Sequence, residues 1–302
     1  MPYRTGHGKR NEVIGSLLLI GLASGVLLGL VLALMATGFN LALGVAHVVN
    51  FQIGAVILWA MYAGFFLWSL AGVHPYIGIL ILAPVAFAIG YVMHRYLVSY
   101  SLSTPEDSQV LFSLGLLIAL QYLGQFCFTT DARSLLAANL QRTLEAGPIV
   151  IQFTQLAAGV AALLVLAALH FMLARADLGR HLQACAQNPI GAQVSGLNVP
   201  HLSAVAMGIS AMCAAVAGIA LATLMPIYPE RAFEYSIMAV VVSVLGGLGS
   251  MAGSVFSGLL VGVILSVCQA LGYGGLAQAI VYALVFITFL IRPTGLVRAK
   301  LG

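Results

Sequence analysis

Apolar side chains in this chain come in long runs, not in alternation. No Asp, Glu, Lys or Arg occurs between Glu12 and Arg95. At about 1.5 Å per helical residue such a stretch crosses a hydrocarbon core of roughly 30 Å several times, so it must fold back on itself. A first run from Val13 to Ala36 is read as ending at Thr37-Gly38, a short second run as interrupted at Asn50, and Gly72-Val73-His74-Pro75 as the turn between a third and a fourth that ends near Leu97. Further runs cover Val110 to Phe128, Ile149 to Leu173, Leu202 to Leu224, Ser236 to Leu245, Gly253 to Leu271 and Leu276 to Ile291. The pattern predicts eight full spans and two short segments. Because the runs are continuously apolar, whereas barrel strands alternate, the fold class is all-α polytopic membrane protein, one transmembrane domain over residues 1–302.

Composition sharpens this reading. Only 12 Lys and Arg and 8 Asp and Glu occur, 7% of the chain against about a quarter in soluble domains, and 62% of residues are hydrophobic. A water-soluble globule, a disordered chain and a disulfide scaffold are excluded. Cys127, Cys185, Cys213 and Cys268 form no CxxC pair, so neither a metal nor a redox motif is written, and no cofactor is expected. The first run is longer than a secretory signal core and is expected to be retained. With alternating passes, Arg4, Lys9, Arg10, Arg95, Arg175, Arg180, Arg292, Arg298 and Lys300 fall on one side and Arg133, Arg142 and Arg231 on the other. That bias places both termini in the cytoplasm, provided each short segment crosses or pairs as a half-crossing.

The short segments carry the candidate chemistry. Residues 38–52 contain Asn40, His47, Asn50 and Gln52; residues 236–250 end in Gly246-Gly247-Leu248-Gly249-Ser250. Glycine and polar side chains at membrane depth belong where backbone is buried in protein or lines a wet cavity, since lipid offers no hydrogen-bond partner. Asn40, His47, Asn50, Gln52, Gly246, Gly247, Gly249 and Ser250 are therefore candidates for a translocation path. For His47 taken alone, a neutral histidine bonded between helices is the stronger reading. Each short segment precedes two spans, which suggests a parallel duplication. Small residues at four-residue spacing, Gly21, Gly25 and Gly29 and later Ser254, Gly258 and Gly262, suit close helix packing.

Residues 174–200 form the longest loop on the positive side. Asn188 can cap a helix, Pro189 suits its first position and Gly196 the residue after its last turn. Ile190 and Val194 share a face, and Leu197 is expected close to the same side. Such a face fits a groove on a soluble partner, or rests on lipid or on its own bundle.

These residues resemble the permease subunits of ABC importers for branched-chain amino acids, specifically the shorter of the two permeases. The matching stretches are Gly179-Arg180 through Ala184, Ala186, Asn188-Pro189, Ala192 and Gly196; Val244 to Ser250 with Gly253; Arg292-Pro293-Thr294-Gly295-Leu296; and Asn50-Phe51 with Gly54. The resemblance implies a second permease subunit, two cytoplasmic ATP-binding subunits, an extracytoplasmic solute-binding protein and a bacterial inner membrane; the binding protein is expected to deliver solute at the outer face near 131–147 and 226–235. It makes 174–200 the coupling loop that seats on the ATPase, with Gly179, Arg180, Ala184, Ala186, Asn188, Pro189, Ile190, Ala192, Val194 and Gly196 as its residues. The family commonly continues Asn-Phe with Ala-His-Gly-Glu, whereas this chain has Gln52-Ile53-Gly54-Ala55, a departure that bears on the solute.

No GxxxxGK[ST] loop is present, so nucleotide is expected on another subunit and the chain is not itself an enzyme. The reading is a permease of an ATP-driven importer for branched-chain amino acids, amides, urea or other amino acids, with lipid around it and no nucleic acid. An ion-coupled secondary carrier and a non-transporting structural subunit are the alternatives. Charge-free spans weigh against the first, and polar broken segments against the second.

Overall fold

A computed structural model describes residues 6–98, 106–135, 143–146, 149–292 and 295–297. Arg4, Arg142, Pro293, Thr294, Arg298, Lys300 and part of the 131–147 loop lie outside them. The described chain runs α1 (Gly6–Ala46), α2 (Ile53–Ala71), α3 (Pro75–Met93) with a π-turn over His94–Val98, α4 (Glu106–Phe128), a hairpin of β1 (Thr143–Ala146) and β2 (Ile149–Gln152), then α5 (Phe153–Arg175) and α6 (Asp177–Gln187). It continues with α7 (Pro189–Val194), α8 (Val199–Ala222), a 3-10 turn over Pro229–Arg231, α9 (Ala232–Gly246), α10 (Met251–Ala270) and α11 (Gly274–Ile291). Eight of these helices are long and apolar enough to span a membrane, matching the eight full runs read from the sequence. The protein is a polytopic all-α membrane protein.

Helix α8 is the hub, with 20 of its 24 residues buried. It is apolar on every side, as a helix surrounded by other helices must be. Small residues let its neighbours close in. A Cβ on Gly218 would sit 2.5 Å from the Ile57 carbonyl of α2, one on Gly208 would sit 2.8 Å from the Phe87 ring of α3, and one on Gly38 of α1 would sit 2.9 Å from Cys213. The second seam joins α1 to α10, antiparallel. Gly21, Gly25 and Gly29 face Val267, Val263 and Leu259, and Gly262 lies directly against Gly29. Backbone meeting backbone this closely replaces the hydrophobic drive that lipid cannot supply.

Two expectations are corrected here. Thr37-Gly38 does not end the first helix; α1 runs unbroken to Ala46. Gly38 serves the contact with α8, and a helix flanked by packed neighbours tolerates it. The first short segment is thus the lower part of α1 followed by the break at 47–52, and it adds no crossing of its own. The second correction follows. Ser24 of α1 bonds Gln155 at the start of α5 at 3.0 Å, and Leu27 packs on Gly159, so the two helices run parallel. Leu296 and Val297, by contrast, bond the far end of α9. The upper end of α1 and residues 296–297 therefore lie on opposite faces of the bundle, so the two described ends of the chain do not share one side as expected. With α1 as a single crossing, Lys9, Arg10, Arg133 and Arg231 fall on one side and Arg95, Arg175, Arg180 and Arg292 on the other among the described residues, and their bias no longer orients the protein.

Candidate functional site

Two helix breaks meet at one end of the bundle. At the first, α1 stops where His47 turns left-handed, φ 55°, a conformation that L side chains resist. Its N–H still reaches Leu43 O at 3.0 Å, and its Nδ1 lies 3.3 Å from Val45 O. The chain re-enters a helix at Ile53. Ser236 of α9 holds this join: its Oγ accepts from Gly54 N at 3.0 Å and donates to Phe51 O at 2.6 Å. Gly54 lies so close to Ala232 O and Ser236 that no side chain fits there.

At the second break α9 stops at Gly246, which packs face to face on Gly253 of α10. Gly247 and Gly249 take φ 105° and 80°, values that glycine alone adopts without strain. Ser250 caps α10 by accepting from Gly253 N at 3.0 Å. The end of the described chain clips on, Leu296 N to Leu245 O at 2.9 Å and Val297 N to Gly246 O at 3.2 Å.

Asn40 stitches α1 to this second break. Its Nδ2 donates to Ser254 Oγ at 2.6 Å and lies 3.4 Å from Ser250 O, while its Oδ1 accepts from Gly249 N at 3.2 Å. Donor and acceptor are both used. Asn50 and Gln52 differ, being buried with Asn50 Oδ1 and Gln52 Oε1 unpaired. With Ser113 and Met207 they line a cavity of about 10 Å³, room for one water.

A much larger groove, about 720 Å³, opens between the lower end of α1, α5, α6 and residues 249–252. Asn40, His170, Gln183 and Ser250 give it a few polar groups in an otherwise apolar wall. The structure thus divides the candidate path residues. Asn40, Gly249 and Ser250 line the groove, Asn50 and Gln52 line the small cavity, Gly246 and Gly247 are buried behind the groove, and His47 is exposed.

Helices α6 and α7 border the same end. Gly179 lets α6 turn tightly on α5; a Cβ there would lie 2.5 Å from Leu173 Cα. Leu182 and Cys185 face inward, and burial pushes the Cys185 thiol up from its ordinary pKa, as suits an inert packing residue. Arg180 pairs with Asp177 at 2.5 Å in the open, an ion pair worth little. Ala184 and Ala186 are half-buried. The cap expected of α7 is present: Asn188 Oδ1 accepts from Gly191 N at 2.9 Å, and Pro189 occupies the first position. At the other end Gly196 is left-handed, φ 85°, with Leu197 N bonding Ala192 O and Gly196 N bonding Gln193 O, both at 3.0 Å. Ala192 is buried; Ile190 and Val194 are 75% and 84% exposed. Leu197 turns toward the core instead of joining their face.

Sequence reading does not single out His170, takes Ser254 only as a packing residue and Ser236 only as the start of a short segment, and matches 292–296 to the family without the bonds that Leu296 and Val297 make. The serines sit in apolar helices, where a hydroxyl that bonds a carbonyl one turn back looks the same as one that also bonds another helix. No local signal separates them.

The signature of the family described as branched-chain amino acid transport system, permease component, matches residues 21–291. Among curated relatives, the high-affinity branched-chain amino acid transport permease BraD of Pseudomonas aeruginosa is 26% identical, the match covering 91% of this chain and 94% of that protein. LivH of Escherichia coli is 25% identical over 90% and 93%, and a probable LivH of Methanocaldococcus jannaschii 26% over 88% and 88%. A solved structure, PsaBC from Streptococcus pneumoniae in complex with Fab, aligns with a TM-score of 0.48 at 16% identity, covering 92% of each chain.

Proposed function

The chain belongs to the branched-chain amino acid transport system permease family, and from that premise we propose that it is the membrane-spanning subunit of an ATP-driven importer of branched-chain amino acids or a related small solute. Members of the family are transport permeases, not enzymes. In this reading ATP is hydrolysed on separate cytoplasmic subunits, a second permease completes the membrane unit, and a binding protein delivers solute from outside a bacterial inner membrane.

One observation carries the reading. A short helix, capped at both ends, presents two bare aliphatic side chains, Ile190 and Val194, and connects through α6 to the groove beside the two breaks. Exposed aliphatics one turn apart on a rigid helix suit a groove on a soluble partner. In this reading α6 and α7 lie in the cytoplasm. Movement of the partner would then be passed by α6 to the wall of the groove, where Leu182 and Gln183 stand opposite Asn40 and Ser250.

Co-purification of the ATP-binding subunit tests it. Ile190→Asp or Val194→Asp, both at exposed sites that fold does not depend on, should abolish capture of that subunit. Unchanged capture removes the docking claim.

A further inference from the structure

Away from the groove the bundle holds three buried hydrogen-bond donors with no acceptor among the described residues. Tyr62 Oη of α2, Tyr235 Oη of α9 and Arg133 Nε, in the loop after α4, are each shielded from solvent and unpaired. Buried polar groups are nearly always satisfied, and each exception calls for an explanation. Arg133 gives one N–H to Phe128 O at 3.3 Å, and its guanidinium lies 5.6 and 5.5 Å from the ring centres of Phe65 and Phe66. Among the described residues no carboxylate pairs with it. Tyr62 stacks on the same Phe128, ring centres 4.4 Å apart. Arg133 and Tyr62, both donors, thus share one aromatic-walled corner, and Tyr235 of α9, beside Arg231 and Glu234 and on a helix that packs on α2, adds a third donor next to it.

A lid covers this corner. Arg133 and Ile227 form an antiparallel bridge, Arg133 N to Ile227 O at 3.1 Å and Ile227 N to Arg133 O at 2.7 Å, which zips the loop after α4 to the loop after α8. Ile227 is fully buried. The bundle is thus closed here, while its other end opens into the groove.

We propose that Arg133, Tyr62 and Tyr235 form a receiving site for the carboxylate of a small amino acid with an apolar side chain, exposed when the Arg133–Ile227 bridge parts. The chemistry selects that ligand. A guanidinium and hydroxyl donors match an anion with two acceptor oxygens, and the phenyl walls match an aliphatic side chain. Tyr62 and Tyr235 lie too deep for an acidic residue on a docked protein to reach, so the carboxylate is that of a free solute. The inference rests on the importer reading and deepens it by naming the group the outer end recognises.

The chain has two tryptophans, Trp59 and Trp68, and Trp59 packs on Phe128 with ring centres 5.3 Å apart. The full chain carrying Trp68→Phe, reconstituted in lipid nanodiscs, therefore reports on this corner alone. Leucine should change Trp59 emission saturably, and leucinamide, lacking the carboxylate, should bind at least tenfold more weakly. Tyr62→Phe with Tyr235→Phe, which keeps both rings, should weaken leucine about tenfold without loss of folded protein; Arg133→Gln should abolish the signal and Arg133→Lys restore part of it. A flat titration, equal response to leucinamide, or parental leucine affinity in the double phenylalanine variant overturns the site. Failure of the importer reading looks different. If the carboxylate-dependent signal is present but cells with the whole system do not import leucine at the expense of ATP, the site stands and the importer falls; if import is intact and the titration flat, the reverse holds.

Discussion

At the break between α9 and α10, glycines take the left-handed turns, Ser250 caps the helix that follows, Asn40 reaches in from α1, and residues 296–297 close over the top. At the break between α1 and α2, a histidine takes the left-handed turn, one serine holds the join, and Asn50 and Gln52 each bury an acceptor that bonds nothing. Both interrupt the run of a membrane helix, yet one is fully wired and the other is not. Rewiring a satisfied junction means losing bonds, each worth about 1 kcal/mol net and more if a partner stays buried. Rewiring the other loses little. The difference assigns the fixed role to the second break and the adjustable role to the first.

That contrast can be broken in three ways. The largest effect is expected from Gly246→Ala, whose methyl has only the Gly253 backbone to displace; overpacking of this kind costs about 3 kcal/mol, and the thermal midpoint of the purified chain should fall by several degrees. An unchanged midpoint would mean that the second break yields easily. Asn40→Ala should cost about 2 kcal/mol, because Gly249 N loses its acceptor and stays largely buried, and hydrogen exchange at 247–250 should quicken. Gln52→Met is the smallest and has the opposite sign: removing an unpaired acceptor while keeping the volume should leave stability within about 1 kcal/mol, on the favourable side. A clear loss of stability would show that Gln52 is held as firmly as Asn40, and the contrast between the breaks would collapse.

What could be read in advance follows from how far each interaction reaches along the chain. Spans and the α7 caps are written within a few residues, as apolar length or as Asn188, Pro189 and Gly196, and they were legible. Glycine is ambiguous at that range. Gly247 is there for its φ and Gly38 for its missing Cβ, and neighbouring residues do not say which, so a break was expected at Gly38 where α1 is continuous. That single misplacement moved the upper end of α1 to the wrong face. Polar residues of the short segments stand out in the sequence, but not their division between a staple and an unpaired pair, since the partners of Asn40 lie more than two hundred positions away.

The apolar part of α1, Gly15–Ala46, is 32 residues long. At 1.5 Å per residue it measures about 48 Å, against roughly 30 Å of hydrocarbon. It must lean steeply or stand proud of the bilayer, and its lower end carries both Asn40 and His47. Membrane thickness therefore acts on the junctions through this one rod: thicker lipid draws it upright, thinner lipid tips it, and acyl-chain length becomes a setting on the machine.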